Sequence, residues 1–118
     1  MSESAPITVV ETPEFLSATR KLITEEDRVV LVDYLSHNPA AGELIQGTGG
    51  VRKLRWGLEG RGKRGGARVI YFYHSADIPQ VALTAYAKNE RVDLSQKDRN
   101  DFRQLTKLLI ETYGRTKT

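Results

Sequence analysis

The run Val69-Ile70-Tyr71-Phe72-Tyr73 is β-branched or aromatic at every position. Such a run is a strand by propensity. Both of its parities are apolar, so both faces of the sheet that holds it must be covered. The chain therefore needs layers on two sides of a sheet, and its 118 residues supply one domain's worth of material for them.

The flanking sequence supplies those layers. Ile7–Glu11 reads as a short β-branched strand. Thr12-Pro13-Glu14 starts a helix, with a capping hydroxyl, a proline suited to the first turn and an acid for the dipole; it runs to about Lys21. Thr24-Glu-Glu-Asp27 starts a second helix, whose apolar residues Val29, Val30, Val32 and Leu35 form a broad face. Asn38-Pro39 stops it, because a residue before proline is pushed out of the α region. Gln46–Gly50 is a glycine-rich connection. Val51–Leu58 alternates, with Leu54, Trp56 and Leu58 on one parity and Lys53 and Arg55 on the other, which predicts a half-buried strand with a cationic open face. Residues 59–66 read as a loop, Ala67–His74 as the central strand and Gln80–Ala87 as a further strand. A last helix spans about Ser95–Tyr113, with Phe102, Leu105, Leu108, Leu109 and Thr112 at helical spacing. The order βααβββα is an α+β domain with a small, mostly antiparallel sheet, two N-terminal helices and one C-terminal helix. A single domain over 1–118 is expected, with 1–6 and 114–118 read as flexible tails.

Charge is segregated. From Gly47 to Arg68 the sequence holds Arg52, Lys53, Arg55, Arg61, Lys63, Arg64 and Arg68 against Glu59 alone, a net +6 in a chain of net +3. Cations gathered among glycines are suited to phosphate, because glycine allows close backbone approach and the side chains donate charge-assisted bonds. The alternative is a solvated hairpin whose lysines protect a sheet edge. The chain has no cysteine, which excludes disulfides and thiolate metal sites. The polar start Met1–Pro6 lacks the apolar core of a secretory signal, and no apolar run reaches membrane-span length. A cytoplasmic protein with no cofactor, no metal and no membrane partner is expected.

Three blocks carry a resemblance: Gln46-Gly-Thr-Gly-Gly-Val-Arg-Lys-Leu-Arg55, Gly62-Lys-Arg-Gly-Gly-Ala-Arg-Val-Ile-Tyr71 and Ala85-Tyr-Ala-Lys-Asn-Glu90. Together they resemble the RelE/HigB family of bacterial toxins, and most of all its HigB-like branch, over about residues 7–112. The resemblance implies the fold just read. It also implies a ribosome-dependent messenger RNA endonuclease that cuts the codon exposed in the 70S decoding site and is neutralised by a cognate antitoxin encoded beside it. Carried over by position, the catalytic surface falls on Lys53, Arg55 and Arg68, with Lys88 after the last strand and Arg64 as an added candidate. Arg52, Arg61, Lys63, Tyr86 and Asn89 are the accompanying RNA-binding candidates. The chain departs from the family's prototype at two places: Asn89 stands where an arginine is found, and Leu94 and Ser95 stand where a tyrosine is found. Two rival readings are a non-catalytic nucleic-acid-binding module and a topoisomerase-poisoning toxin on the same fold.

Cleavage by a 2′-hydroxyl needs a proton acceptor, stabilisation of the phosphorane and a route for the leaving 5′-oxygen. Arginine suits the second task, since it is always charged and binds phosphate through two bonds; Arg55, Arg64 and Arg68 are the candidates. A lysine crowded by cations gives up its proton more readily, which makes Lys53 or Lys88 the expected base. The remaining motifs are structural. His37 and His74 are far apart and lack the partners of a metal site. The GTGG run precedes a strand instead of opening a helix, so it is not a dinucleotide fingerprint. Trp56 shares the buried parity, and Tyr71 reads as a packing residue. Tyr73 is ambiguous, and Tyr86 is open to packing or to stacking on a base. The alternating charges of the last helix read as a solvated face.

Overall fold

The computed structural model describes residues 5–58, 62–88 and 94–114, with Leu58 and residues 62–65 described by their backbone only. The elements are β1 (Val9–Glu11), α1 (Pro13–Arg20), α2 (Glu25–His37), β2 (Glu43–Leu44), β3 (Val51–Leu58), β4 (Gly62–Phe72), β5 (Gln80–Ala87) and α3 (Gln96–Gly114). One five-stranded sheet runs in the order β1-β5-β4-β3-β2. β1 lies parallel to β5, and the other neighbours are antiparallel. The fold is α+β, with the two N-terminal helices and the C-terminal helix packed on a mixed, mostly antiparallel sheet.

β4 is the middle strand, and its alternation feeds two cores. Val69 and Tyr71 point to one side, where they meet Leu54, Ala82, Phe15 of α1, and Leu31 and Leu35 of α2. Ile70 and Phe72 point to the other, where they meet Val51, Val81 and Leu83 and are covered by Phe102, Leu105 and Leu109 of α3. All four of these β4 residues are buried, as the double apolar parity requires.

The helix starts follow the expected chemistry. Thr12 accepts from the Phe15 amide at 3.1 Å and donates to the Ala82 carbonyl at 2.9 Å, so a single hydroxyl caps α1 and joins it to β5. Thr24 accepts from the Asp27 amide at 3.1 Å. Ser95 and Asp98 exchange two bonds at the start of α3, in the manner of a capping box. Thr12→Ala should cost about 1–2 kcal/mol, the upper range for a lost cap because a tertiary bond goes with it. Urea unfolding would show this as a lower midpoint, with Thr24→Ala the milder comparison.

Beyond shifts of two residues at the start of β1 and the end of β4, two features differ from the sequence expectation. β4 begins at Gly62 instead of Ala67. Glycines argue for a loop, yet here the register continues to Leu58 opposite Gly62, past an irregularity after Trp56. Gly66 is where glycine is required: a Cβ there would stand 2.4 Å from the Trp56 carbonyl oxygen, so the two backbones approach more closely than any side chain allows. The second difference is β2, a two-residue strand paired as Glu43 opposite Lys53 and Leu44 opposite Arg52. It is too short to leave a periodic signal.

The GTGG turn has a packing role. Thr48 is fully buried; its hydroxyl donates to the Ile45 carbonyl at 2.6 Å and accepts from the Val51 amide at 3.1 Å. Its own carbonyl accepts from Thr106 of α3 at 2.8 Å. Gly49 has φ +79°, and a Cβ there would lie 2.5 Å from the Thr106 hydroxyl. This turn docks α3 at the Val51 end of β3, away from the cationic end of the strand.

Candidate functional site

The register of the three central strands decides which side chains meet. Arg55 of β3 lies opposite Arg68 of β4, and Arg68 lies opposite Tyr86 of β5. Residues paired across a sheet share a face, so these three form one row. Lys53 stands two residues from Arg55 on the same face, with Glu43 of β2 opposite it. Lys88 follows β5, and its amide donates to the Gly66 carbonyl at 3.2 Å, holding the segment after β5 beside β4. Glu43, Lys53, Arg55, Arg68, Tyr86 and Lys88 line a single open depression of about 590 Å³, together with Ala41 and Leu54.

This face also carries Val51, Ile70 and Phe72, which lie beneath α3. α3 thus covers one half of the face and leaves the other half to the cations. Lys53 and Arg68 are half-buried, while Arg55 and Lys88 are exposed. Tyr86 is 6% exposed and packs with the α3 core. It lines the depression from this buried position.

Edge protection does not explain this charge. Arg68 is on the middle strand of the sheet. Like charges directly opposite on neighbouring strands are destabilising, by about 0.2–1 kcal/mol for an ordinary pair. The Arg55–Arg68 pairing is therefore a local conflict with stability, and an anion seated between the two guanidinium groups would relieve it.

The other candidates fall elsewhere. Arg52 has the opposite parity from Lys53. Its Nη1 donates to the Gly42 carbonyl at 2.8 Å, and its guanidinium sits 5.9 Å from the centroid of the Tyr73 ring. It clamps the segment that enters β2 and takes no part in lining the depression. Arg61 and Asn89 lie outside the described residues, as do the side chains of Lys63 and Arg64. Trp56 packs on the α1/α2 core and lies 5.6 Å from the Tyr34 ring. His37, at the end of α2, lies beside Ser36 and Asp33, and the His74 ring stacks on Phe72; neither lines the depression. Among the described residues no group of three or more His, Cys, Asp or Glu side chains is placed to hold a metal ion, and no helix is long and apolar enough to cross a membrane.

Glu43 is the residue that sequence reasoning missed. It comes ten positions before Lys53, in a segment without alternation, and only the β2–β3 pairing brings it to the site. The available signal was chemical, an isolated acid just upstream of a cationic strand.

The order of elements and the mixed, mostly antiparallel sheet agree with the fold that the three sequence blocks imply. The family model described as the RelE toxin of the RelE/RelB toxin–antitoxin system matches residues 10–116, nearly the whole chain. This protein belongs to the RelE family of toxins, the toxin components of type II toxin–antitoxin systems.

Proposed function

We propose that this toxin is a ribosome-dependent messenger RNA endonuclease of the HigB-like branch, acting on the codon in the 70S decoding site and restrained by a cognate antitoxin. The observation that carries the reading is the Arg55–Arg68–Tyr86 row, with Lys53 and Lys88 around the same depression. A messenger strand laid across it brings one phosphate between two guanidinium groups. As the 2′-oxygen attacks, negative charge grows on the phosphorane oxygens. Fixed cations placed where that charge develops stabilise the transition state more than the ground state. Arg55 and Arg68 serve that role, and Lys53 and Lys88 add positive potential around the strand. A single messenger strand also offers bases that the ribosome has already unpaired from any duplex, the form in which RNA is most readily read.

Induction of the chain in growing bacteria is expected to arrest growth, with rescue by co-expression of the adjacent antitoxin reading frame. Primer extension on a translated message is expected to show cuts in register with codons, and mutation of the start codon should remove them. Arrest with DNA damage and an intact message would favour the topoisomerase-poisoning reading. Arrest without cuts or damage would favour the non-catalytic binding module.

A further inference from the structure

We infer that Glu43 is the proton acceptor for the attacking 2′-hydroxyl. This rests on the endonuclease reading above and adds to it a residue on a different strand from any proposed there. Among the described residues, five ionisable side chains line the depression besides that of Glu43: Lys53, Arg55, Arg68, Lys88 and Tyr86. Lysine, arginine and tyrosine all hold their protons at neutral pH, with ordinary values of about 10 or above. An ammonium or guanidinium has donors and no acceptor, whereas a carboxylate has only acceptors. Among the described residues lining the depression, Glu43 is the one whose side chain has only acceptors.

Its placement suits that role. β2 is an edge strand, and Glu43 sits opposite Lys53 on the face that carries the row. Glu43 is exposed, and among the described residues its carboxylate has no hydrogen bond or ion pair, so nothing must be broken before it meets a hydroxyl. A phosphate site made only to bind would gain from having no carboxylate at its rim, because that charge repels the ligand. A carboxylate at that rim suits a proton-transfer task. The 2′-oxygen–hydrogen bond breaks, with its proton passing to the Glu43 carboxylate. The 2′-oxygen–phosphorus bond forms as the phosphorus–5′-oxygen bond breaks. The leaving 5′-oxygen takes a proton from the Lys53 or Lys88 ammonium. The products are a 2′,3′-cyclic phosphate and a free 5′-hydroxyl. In this scheme the lysines are proton donors, the reverse of the base role that crowding suggested.

The test is single-turnover cleavage of a defined codon on programmed 70S ribosomes by wild type, Glu43→Gln and Glu43→Asp, each read across a range of pH. Glu43→Gln should lower the rate by about 10²–10⁴-fold, with unchanged co-sedimentation on ribosomes and an unchanged thermal melt. Wild type should show an acid limb in its pH profile. Glu43→Asp should keep that limb at a reduced rate, and Glu43→Gln should lack it. Wild-type cleavage matched by Glu43→Gln would overturn the assignment and leave the endonuclease reading standing. A rate loss explained by lost ribosome binding would overturn it as well. A wild-type protein that leaves the message intact would remove both.

Discussion

Arg68→Ala is expected to lower codon cleavage by about 10²–10³-fold, the usual consequence of removing one fixed donor from a developing oxyanion. Ribosome binding should be largely kept, since the other cations of the patch stay in place. The stability of the variant should be unchanged or slightly higher. Arg68 faces Arg55 across the β3–β4 pair, so its removal takes away a like-charge contact worth about 0.2–1 kcal/mol of repulsion. A purely structural arginine would behave in the opposite way, with stability falling and cleavage following it down. Lys53→Ala should also cut cleavage sharply with binding retained, because Lys53 lines the same depression. Arg52→Ala is the internal contrast. Its guanidinium is committed to the Gly42 carbonyl and the Tyr73 ring, so its loss should be felt first in stability. Cleavage rates, ribosome co-sedimentation and melting curves on the three variants separate these roles.

The largest stability effect is expected at Tyr71. It is fully buried in the α1/α2 core, and Tyr71→Ala should cost about 3–5 kcal/mol, as large-to-small changes of aromatic core residues do. Against a total of about 5–15 kcal/mol for a domain, that is a large share of the stability. The hydroxyl adds a separate, smaller effect. It donates to the Pro39 carbonyl at 2.7 Å and accepts from the Gly42 amide at 2.9 Å. Burial pushes its pKa above the ordinary tyrosine value, against the opposing pull of the Gly42 bond and the Arg52 charge. Tyr71→Phe keeps the ring and leaves both backbone groups without that partner, at a cost of about 1–3 kcal/mol. Gly42 precedes Glu43 in sequence, and a Cβ at Gly42 would stand 2.8 Å from the Tyr71 ring. The hydroxyl therefore fixes the approach of β2 to β3. Urea unfolding gives the energies, and faster hydrogen exchange at the Gly42 amide in Tyr71→Phe would show the local effect.

Much of this arrangement is legible in the sequence because it is set by neighbours along the chain. Alternation over Val51–Leu58 separates Leu54 and Trp56 from Lys53 and Arg55, and the strand has those bounds. The same alternation places Arg52 on the Leu54 side, which explains its structural engagement despite its place in a cationic run. The double apolar parity of Val69–Tyr73 calls for two cores, and β4 supplies both.

What the sequence hides is set by partners far apart in the chain. The row that joins Arg55, Arg68 and Tyr86 depends on the registers of two strand pairs. One of those pairs carries an irregularity between Ile70 and Tyr71 that no local pattern signals. The parallel pairing of β1 with β5 links residues about seventy positions apart. Val51 shares its parity with Lys53 and Arg55 yet is fully buried, because α3 crosses that end of the face and stops short of the other. The open cationic face read from β3 alone is thus half of a face, and its limit is drawn by a helix from the far end of the chain.

The depression on the uncovered half of the sheet is proposed to cut messenger RNA held by a ribosome. Purified protein mixed with 70S ribosomes carrying a defined codon in the decoding site tests it directly. A single cut within that codon is predicted, leaving a 2′,3′-cyclic phosphate upstream and a 5′-hydroxyl downstream, with the same message untouched when free in solution. An intact message on the ribosome, under conditions where the protein binds it, would rule out that role for the depression.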